Sequence, residues 1–212
     1  MNRIYPKYIK RVLDIIFSLS ALIILSPVLL IVAVLVRICL GSPVLFCQER
    51  PGQIDPKTGK ERIFKLYKFR SMRDAKDKDG NLLPDKERLT KFGKILRATS
   101  MDELPEIWNI LKGDMSIVGP RPWLVKYLDY YNDYEHQRHI VKPGLTGLAQ
   151  ISGRNAASWK HRFELDVEYV HNISFMSDVK IICKTVWKII SHDGIEFTGK
   201  TQSIMEYFAS RK

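Results

Sequence analysis

The chain has 212 residues, 45% hydrophobic and 27% charged, with 34 Lys and Arg against 23 Asp and Glu and a formal net charge of +11. That length accommodates one anchor and one globular domain of about 175 residues with a core of its own, and the positive balance points to anionic partners: lipid headgroups, nucleotides or nucleic acid. Three cysteines, Cys39, Cys47 and Cys183, are odd in number and lack metal-ligand spacing, which fits a reducing compartment.

From Ile15 to Val36 the chain runs twenty-two residues without a charge, roughly 33 Å as straight helix against a hydrocarbon core of about 30 Å. Length alone predicts a spanning helix. Pro27 opposes it, because proline removes a backbone donor and its ring pushes on the carbonyl four residues earlier, that of Ile23. The flanks oppose it too. Residues 1–36 carry a net +3 from Arg3, Lys7, Lys10, Arg11 and Asp14, and the remainder carries +8, so both ends look cytoplasmic. A re-entrant hairpin broken at Ser26-Pro27, with two arms of roughly 15 Å, satisfies both flanks, and Ser18, Ser20 and Ser26 can take backbone groups freed by the bend. A straight span stands as the alternative, since proline is tolerated in membrane helices. The apolar run is too long for a signal peptide and no small-x-small cleavage site follows it.

Val44–Gln48 reads as a strand closed by the Pro51-Gly52 turn, and residues 62–72 as a second strand. The charged stretch 73–88, broken by Gly80 and Pro84, reads as a solvated loop. Residues 89–97 form a helix carrying Lys91, Lys94 and Arg97 along one side. Next comes "RATSMDELPEIWNILKGDMSIVGPRP", residues 97–122. Ser100 and Glu103 match a capping box, which would make Asp102 and Glu103 ordinary first-turn acids. Alternatively the helix starts at Pro105 and runs to Lys112, leaving both acids on the turn leading in. Pro120 and Pro122 fence Arg121 into extended backbone and present its guanidinium with little freedom, a form suited to phosphate; the bland counterpart is a stiff surface loop.

Downstream, Trp123, Tyr127, Tyr130, Tyr131 and Tyr134 are aromatics of the kind found at headgroup level, or else core. Val179–Ser191 is an amphipathic helix with Lys180, Lys184 and Lys188 on one side, able to rest on anionic lipid or to turn its apolar stripe inward. The five histidines form no zinc pattern and read as surface residues.

Together "KRVLD" (10–14), the run containing Ser26-Pro27, "QERPG" (48–52), "FKLYKFRSM" (64–72), "SMDELPEIWNILKGDMSIVGPRP" (100–122) and "KPGLTGLAQISGRN" (142–155) resemble the bacterial sugar transferases called small monotopic phosphoglycosyl transferases. The resemblance implies transfer of a phospho-sugar from a UDP-sugar to undecaprenyl phosphate with release of UMP. It implies Asp102 and Glu103 as a catalytic dyad, Asp102 as nucleophile, and a requirement for Mg²⁺ held by one or both carboxylates. It further implies Lys68 and Arg97 as basic groups near the active site, and Arg121 and Arg154 as nucleotide-sugar contacts. Asp166 and Asp178 match acidic positions better suited to structural ion pairs. Leu148 departs from the pattern, standing where many members carry tryptophan, which puts the nearby pocket in question.

The expected fold is α+β: residues 1–40 form the re-entrant anchor, 41–191 a cytoplasmic catalytic domain of several helices, some interfacial, with a few short strands, and 192–212 a segment of unassigned role. The expected location is the cytoplasmic face of the bacterial inner membrane. Expected partners are the UDP-sugar, undecaprenyl phosphate and membrane lipids, without nucleic acid, and a homodimer stands as an open alternative to the monomer. Two competing classes are a membrane-anchored basic module that binds nucleic acid or anionic lipid without catalysis, and a two-helix membrane transferase acting through a ternary complex.

Overall fold

A computed structural model describes residues 4–153, 158–191 and 203–211. A π-helical turn, Tyr5–Ile9, leads into α1 (Lys10–Ile24) and α2 (Ser26–Leu40). There follow β1 (Leu45–Ile54), β2 (Glu61–Phe69), α3 (Asp85–Arg88), α4 (Lys91–Ala98), a 3₁₀ turn at Met101–Glu103, α5 (Glu106–Lys112) and β3 (Ser116–Val118). After two more 3₁₀ turns and α6 (Asp133–His136) come β4 (Gly144–Thr146), α7 (Leu148–Ile151), α8 (Trp159–His171), α9 (Phe175–Ser191) and α10 (Ile204–Ala209). β1 pairs with β2, and β3 pairs in parallel with β4, Ser116 opposite Gly144 and Val118 opposite Thr146. The class is the expected mixture of helices and short strands. The chain divides into two compact units, one of residues 17–48 and 65–109, the other of 1–16, 49–64 and 110–212.

In the unit of residues 17–48 and 65–109, α1 gives way to α2 at Leu25, and the helix pair is bent by 62°. The cause is local. Pro27 sits in the first turn of α2, and Ser26 Oγ donates to the Ile23 carbonyl at 2.8 Å, taking up the group the proline displaces. Among the described residues no single helix is long and apolar enough to cross a membrane. One stripe of α2 (Val32, Val36, Leu40) packs with Phe69 and Leu96, joined by Val28, Leu29, Phe92 and Leu104. Arg70 closes the C-terminal end of α2: its guanidinium is buried and donates to the carbonyls of Leu40 and Ser42. Gly93 in α4 exists for a close approach, since a Cβ there would lie 1.8 Å from the Ser71 carbonyl oxygen.

Two sequence expectations about the strands are corrected. β1 does not turn at Pro51-Gly52 but continues to Ile54. Gly52 is needed because a Cβ would come within 2.8 Å of the Arg62 carbonyl on the paired strand, and the reversal is built by Asp55, Thr58 and Gly59, with Asp55 N donating to Lys60 O at 2.8 Å and Gly59 at φ 69°. β2 ends at Phe69 rather than 72.

In the other unit, "KRVLD" pins the N-terminal helix at three places. Lys10 Nζ contacts Asp178 Oδ2 at 2.5 Å, the same carboxylate that accepts from the Tyr5 hydroxyl at Oδ2 and from the Tyr169 hydroxyl at Oδ1. Arg11 donates to the Ile110 and Leu111 carbonyls at 2.6 and 2.8 Å, capping α5. Asp14, 3% exposed, accepts from the Ser116 hydroxyl and the Ile117 amide on β3. The aromatics of 123–134 split: Trp123, Tyr127 and Tyr131 pack against Trp159, Phe163, Ile204 and Phe208, Tyr130 stacks on Phe208 from an exposed position, and Tyr134 is exposed. α9 buries Asp178 and Ile181 and leaves Val186, Trp187 and Ile190 exposed, so most of its apolar stripe faces outward. His139 is not a surface histidine. It is 4% exposed and faces the Gly52 carbonyl, and burial beside Arg138 drives its pKa down to about 3.

Asp14→Ala would leave the Ser116 hydroxyl and Ile117 amide without this acceptor, a loss of about 1–3 kcal/mol. Denaturation of the detergent-solubilised protein should show a lower midpoint for this variant and a smaller drop for Asp14→Asn. An unchanged midpoint would show that the pin is dispensable.

Candidate active site

The candidate residues of the first unit arrive from three elements. Lys68 lies near the end of β2, where strand alternation sends Phe69 into the core and turns its neighbours the other way. Arg97 comes from α4, which Thr90 caps by accepting from Gly93 N at 3.1 Å. Asp102 and Glu103 lie on the 3₁₀ turn before Pro105 and α5. The capping-box reading fails: Ser100 adopts a left-handed backbone, φ 55°, and its side chain caps nothing. A non-glycine residue held there costs of order 1 kcal/mol. The strained entry replaces a regular helical start and sets the two acids on a tight turn.

Lys68 Nζ lies 2.7 Å from Glu103 Oε1 and 3.0 Å from Glu106 Oε1. Glu106 was not singled out by the sequence, although its spacing of three from Glu103 puts both on one side of the turn. Asn109, one turn further, is fully buried; its side chain accepts from Tyr67 N at 3.1 Å and donates to Lys65 O at 2.8 Å, completing the edge of β2. Arg97 Nε donates to Ser71 Oγ at 2.9 Å. Asp102 is 8% exposed. Burial, then the neighbouring Glu103 charge, raises its pKa above the usual carboxylate range, while Lys68 and Arg97 oppose the shift. When Asp102 is ionised, three carboxylates face two cations, leaving one net negative charge.

Arg121 belongs to the other unit. Pro120 and Pro122 are buried on either side of it. Prolines contribute carbonyls but no amide hydrogens, and the segment's carbonyls are held by others: Gly144 N donates to Pro120, Arg138 Nη2 to Arg121 at 2.6 Å, and Arg50 Nη1 to Pro122 at 3.2 Å. Arg138 in turn forms a buried ion pair with Asp166 at 2.7 Å, so Asp166, like Asp178, is used in structural pairing. Arg154 lies outside the described residues.

A family model described as bacterial sugar transferase matches residues 5–192. The chain is 51% identical over 191 residues to an uncharacterized sugar transferase, EpsL, of Bacillus subtilis, covering 90% of this chain and 92% of that protein. It is 42% identical to the exopolysaccharide production protein PSS of Rhizobium leguminosarum, covering 84% of this chain and 93% of that one. A Klebsiella pneumoniae protein named UDP-glucose:undecaprenyl-phosphate glucose-1-phosphate transferase is also 42% identical over 84% of this chain, but the match spans only 39% of its length.

The raised pKa of Asp102 has a thermodynamic consequence. A carboxyl whose folded-state pKa exceeds its unfolded value binds more protons when folded, so stability is lost as pH rises from the unfolded pKa through the folded one. Asp102→Asn should therefore melt higher than the parent at pH 7, with the difference shrinking toward pH 3. A lower melting point at neutral pH would contradict this account of the site.

Proposed function

Because the chain belongs to the bacterial sugar transferase family, we propose that it transfers a sugar 1-phosphate from a UDP-sugar to undecaprenyl phosphate and releases UMP, with Asp102 carrying the sugar phosphate between two half-reactions. The observation that supports this best is the buried Asp102, on a strained turn, with Lys68 and Arg97 close enough to act on its charge. In the first half, a carboxylate oxygen of Asp102 attacks the sugar-bearing phosphorus and the bond to the nucleotide phosphate breaks, so UMP leaves. In the second, an oxygen of undecaprenyl phosphate attacks the same phosphorus and the Asp102 carboxylate departs, giving the polyprenyl diphosphosugar. An acyl phosphate keeps the bond reactive and divides one displacement into two. Alignment and charge neutralisation supply most of the catalysis in phosphoryl transfer. Lys68 and Arg97 provide positive charge beside Asp102, and Arg121 and Arg154 are assigned to the nucleotide-sugar.

The donor set fits Mg²⁺ as this reading requires. Asp102 and Glu103 are adjacent hard oxygen donors with a surplus negative charge around them, and no group of three or more His, Cys, Asp or Glu among the described residues forms a cage. Mg²⁺ is commonly held by one or two carboxylates with water and substrate phosphates completing its shell. When bound, the ion neutralises diphosphate charge.

Residues 1–40 are assigned to a membrane hairpin at the cytoplasmic face. α1 supports this by its inverted burial: its buried positions include Asp14 and Ser18, while Phe17, Ile23 and Ile24 are exposed, as are Leu30 and Ile38 of α2. Such an apolar surface needs a lipid cover. The outward apolar stripe of α9, with its lysines, suits the interface. Capsule, exopolysaccharide and related glycan synthesis would consume the lipid-linked product.

Mass spectrometry of protein incubated with a UDP-sugar panel and Mg²⁺, acceptor omitted, should find a phospho-sugar adduct on Asp102 for the true donor. Asp102→Asn should lose the adduct and at least about 10⁴-fold of turnover, of the order seen when a nucleophile is removed. Turnover without any adduct would favour a ternary-complex transferase, and UDP-sugar-independent binding with no turnover a non-catalytic module.

For topology, cysteine-reactive labels directed to positions 2 and 212 should both react from the cytoplasmic side only. Labelling from opposite sides would refute the hairpin.

A further inference from the structure

Resting on the proposed Mg²⁺-dependent reaction, we propose that Glu106 is a positioning residue whose task is to hold Lys68 so that Glu103 can exchange its ammonium partner for the metal ion. Lys68 is shared between Glu103 at 2.7 Å and Glu106 at 3.0 Å. The two carboxylates differ in setting: the Glu106 side chain is 4% exposed and starts the regular α5 helix, whereas that of Glu103 is 19% exposed and lies on the strained 3₁₀ turn. Glu106 is thus the fixed counter-ion and Glu103 the one with access to solvent. Glu103 cannot serve a metal ion fully while it neutralises a neighbouring ammonium. Without Glu106, metal binding would strip a largely buried cation of the one carboxylate left in direct contact with it, a costly step in a poorly solvated site. With Glu106 in place the ammonium keeps a partner throughout, stays near Asp102, and turns its vacated donor toward arriving phosphate. One further carboxylate one turn into the helix therefore separates two demands made on Glu103.

The test is metal binding by the full-length protein in detergent, followed by Mn²⁺ electron paramagnetic resonance and by Mg²⁺ competition, with no substrate present. Glu106→Gln should weaken Mn²⁺ binding about 10–100-fold, the range for removal of a group that orients a metal ligand. Glu106→Asp is the discriminating variant, because it keeps the charge but withdraws the carboxylate from Lys68. It should fall with Glu106→Gln and not with the parent. If Glu106→Asp binds as the parent does while Glu106→Gln is weak, the charge acts through space and the positioning role is wrong; if both bind as the parent does, Glu106 has no part in it. Should neither variant fold, Lys68→Met decides, since removing the competing ammonium should tighten Mn²⁺ binding, and unchanged or weaker binding would overturn the exchange. Failure of the underlying reading looks different: the parent protein then binds no Mn²⁺, or binds it equally well in Asp102→Asn and Glu103→Gln.

Discussion

One ammonium ion between two carboxylates organises the unit that carries the candidate dyad. Lys68 joins β2 to the turn and helix that follow Ser100, its ammonium lying 2.7 Å from Glu103 and 3.0 Å from the buried Glu106. The three residues that follow Lys68 divide the remaining work at and just beyond the end of the strand. Phe69 points the other way into the apolar core, and Arg70, two positions from Lys68, grips the carbonyls that end α2. Ser71 then receives Arg97 and lets Gly93 approach its carbonyl. Four consecutive residues thus connect the candidate dyad, the core, α2 and α4, which explains why a substitution in this stretch would disturb all of them together.

The same packing makes Asp102 a poor residue for stability. Its carboxyl is desolvated and sits beside Glu103, and the two cations relieve this only in part, since the net shift remains upward. A carboxylate that water does not fully solvate is also a better nucleophile, so the features that raise its proton affinity are compatible with the proposed attack on phosphorus once it is ionised. The left-handed Ser100 belongs with this pattern: local strain is retained where the geometry of two adjacent acids depends on it.

Much of this was legible in the residues, for identifiable reasons. Of the two helix starts the sequence offered, the one from Pro105 to Lys112 rested on proline and glycine, whose backbone preferences are local, and the helix observed is Glu106–Lys112. The bend at Ser26-Pro27 was readable for the same cause, down to the displaced Ile23 carbonyl that Ser26 takes up. What escaped depended on partners distant in sequence. Gly52 looked like half of a Pro-Gly turn but answers to the Arg62 carbonyl across the strand pair, while the real reversal lay in "DPKTG", whose Asp and Gly were the better signal. The capping box at Ser100 matched in composition and failed in backbone conformation. Glu106 was hidden because a glutamate at the start of a helix is ordinary; only the strand that brings Lys68 against it gives it a second role.

The apolar run shows a deeper limit on reading by hydropathy. In α2 the positions Val32, Val36 and Leu40 face a protein core, while Leu30 and Ile38 are exposed, yet all five are equally apolar. Hydrocarbon and protein interior demand the same side chains, so hydropathy cannot divide one face from the other. Polar residues can. Asp14 and Ser18, one turn apart in α1, are buried where a soluble helix would place leucines, and the apolar neighbours are turned out. A helix so inverted gains nothing from exposing that surface to water, and its buried carboxylate is satisfied by Ser116 and Ile117 through bonds that would be wasted on a mere tether. The proposed anchor is therefore also a structural member: its polar residues tie it to the protein, and its apolar surface is the part on which the proposed lipid contact rests.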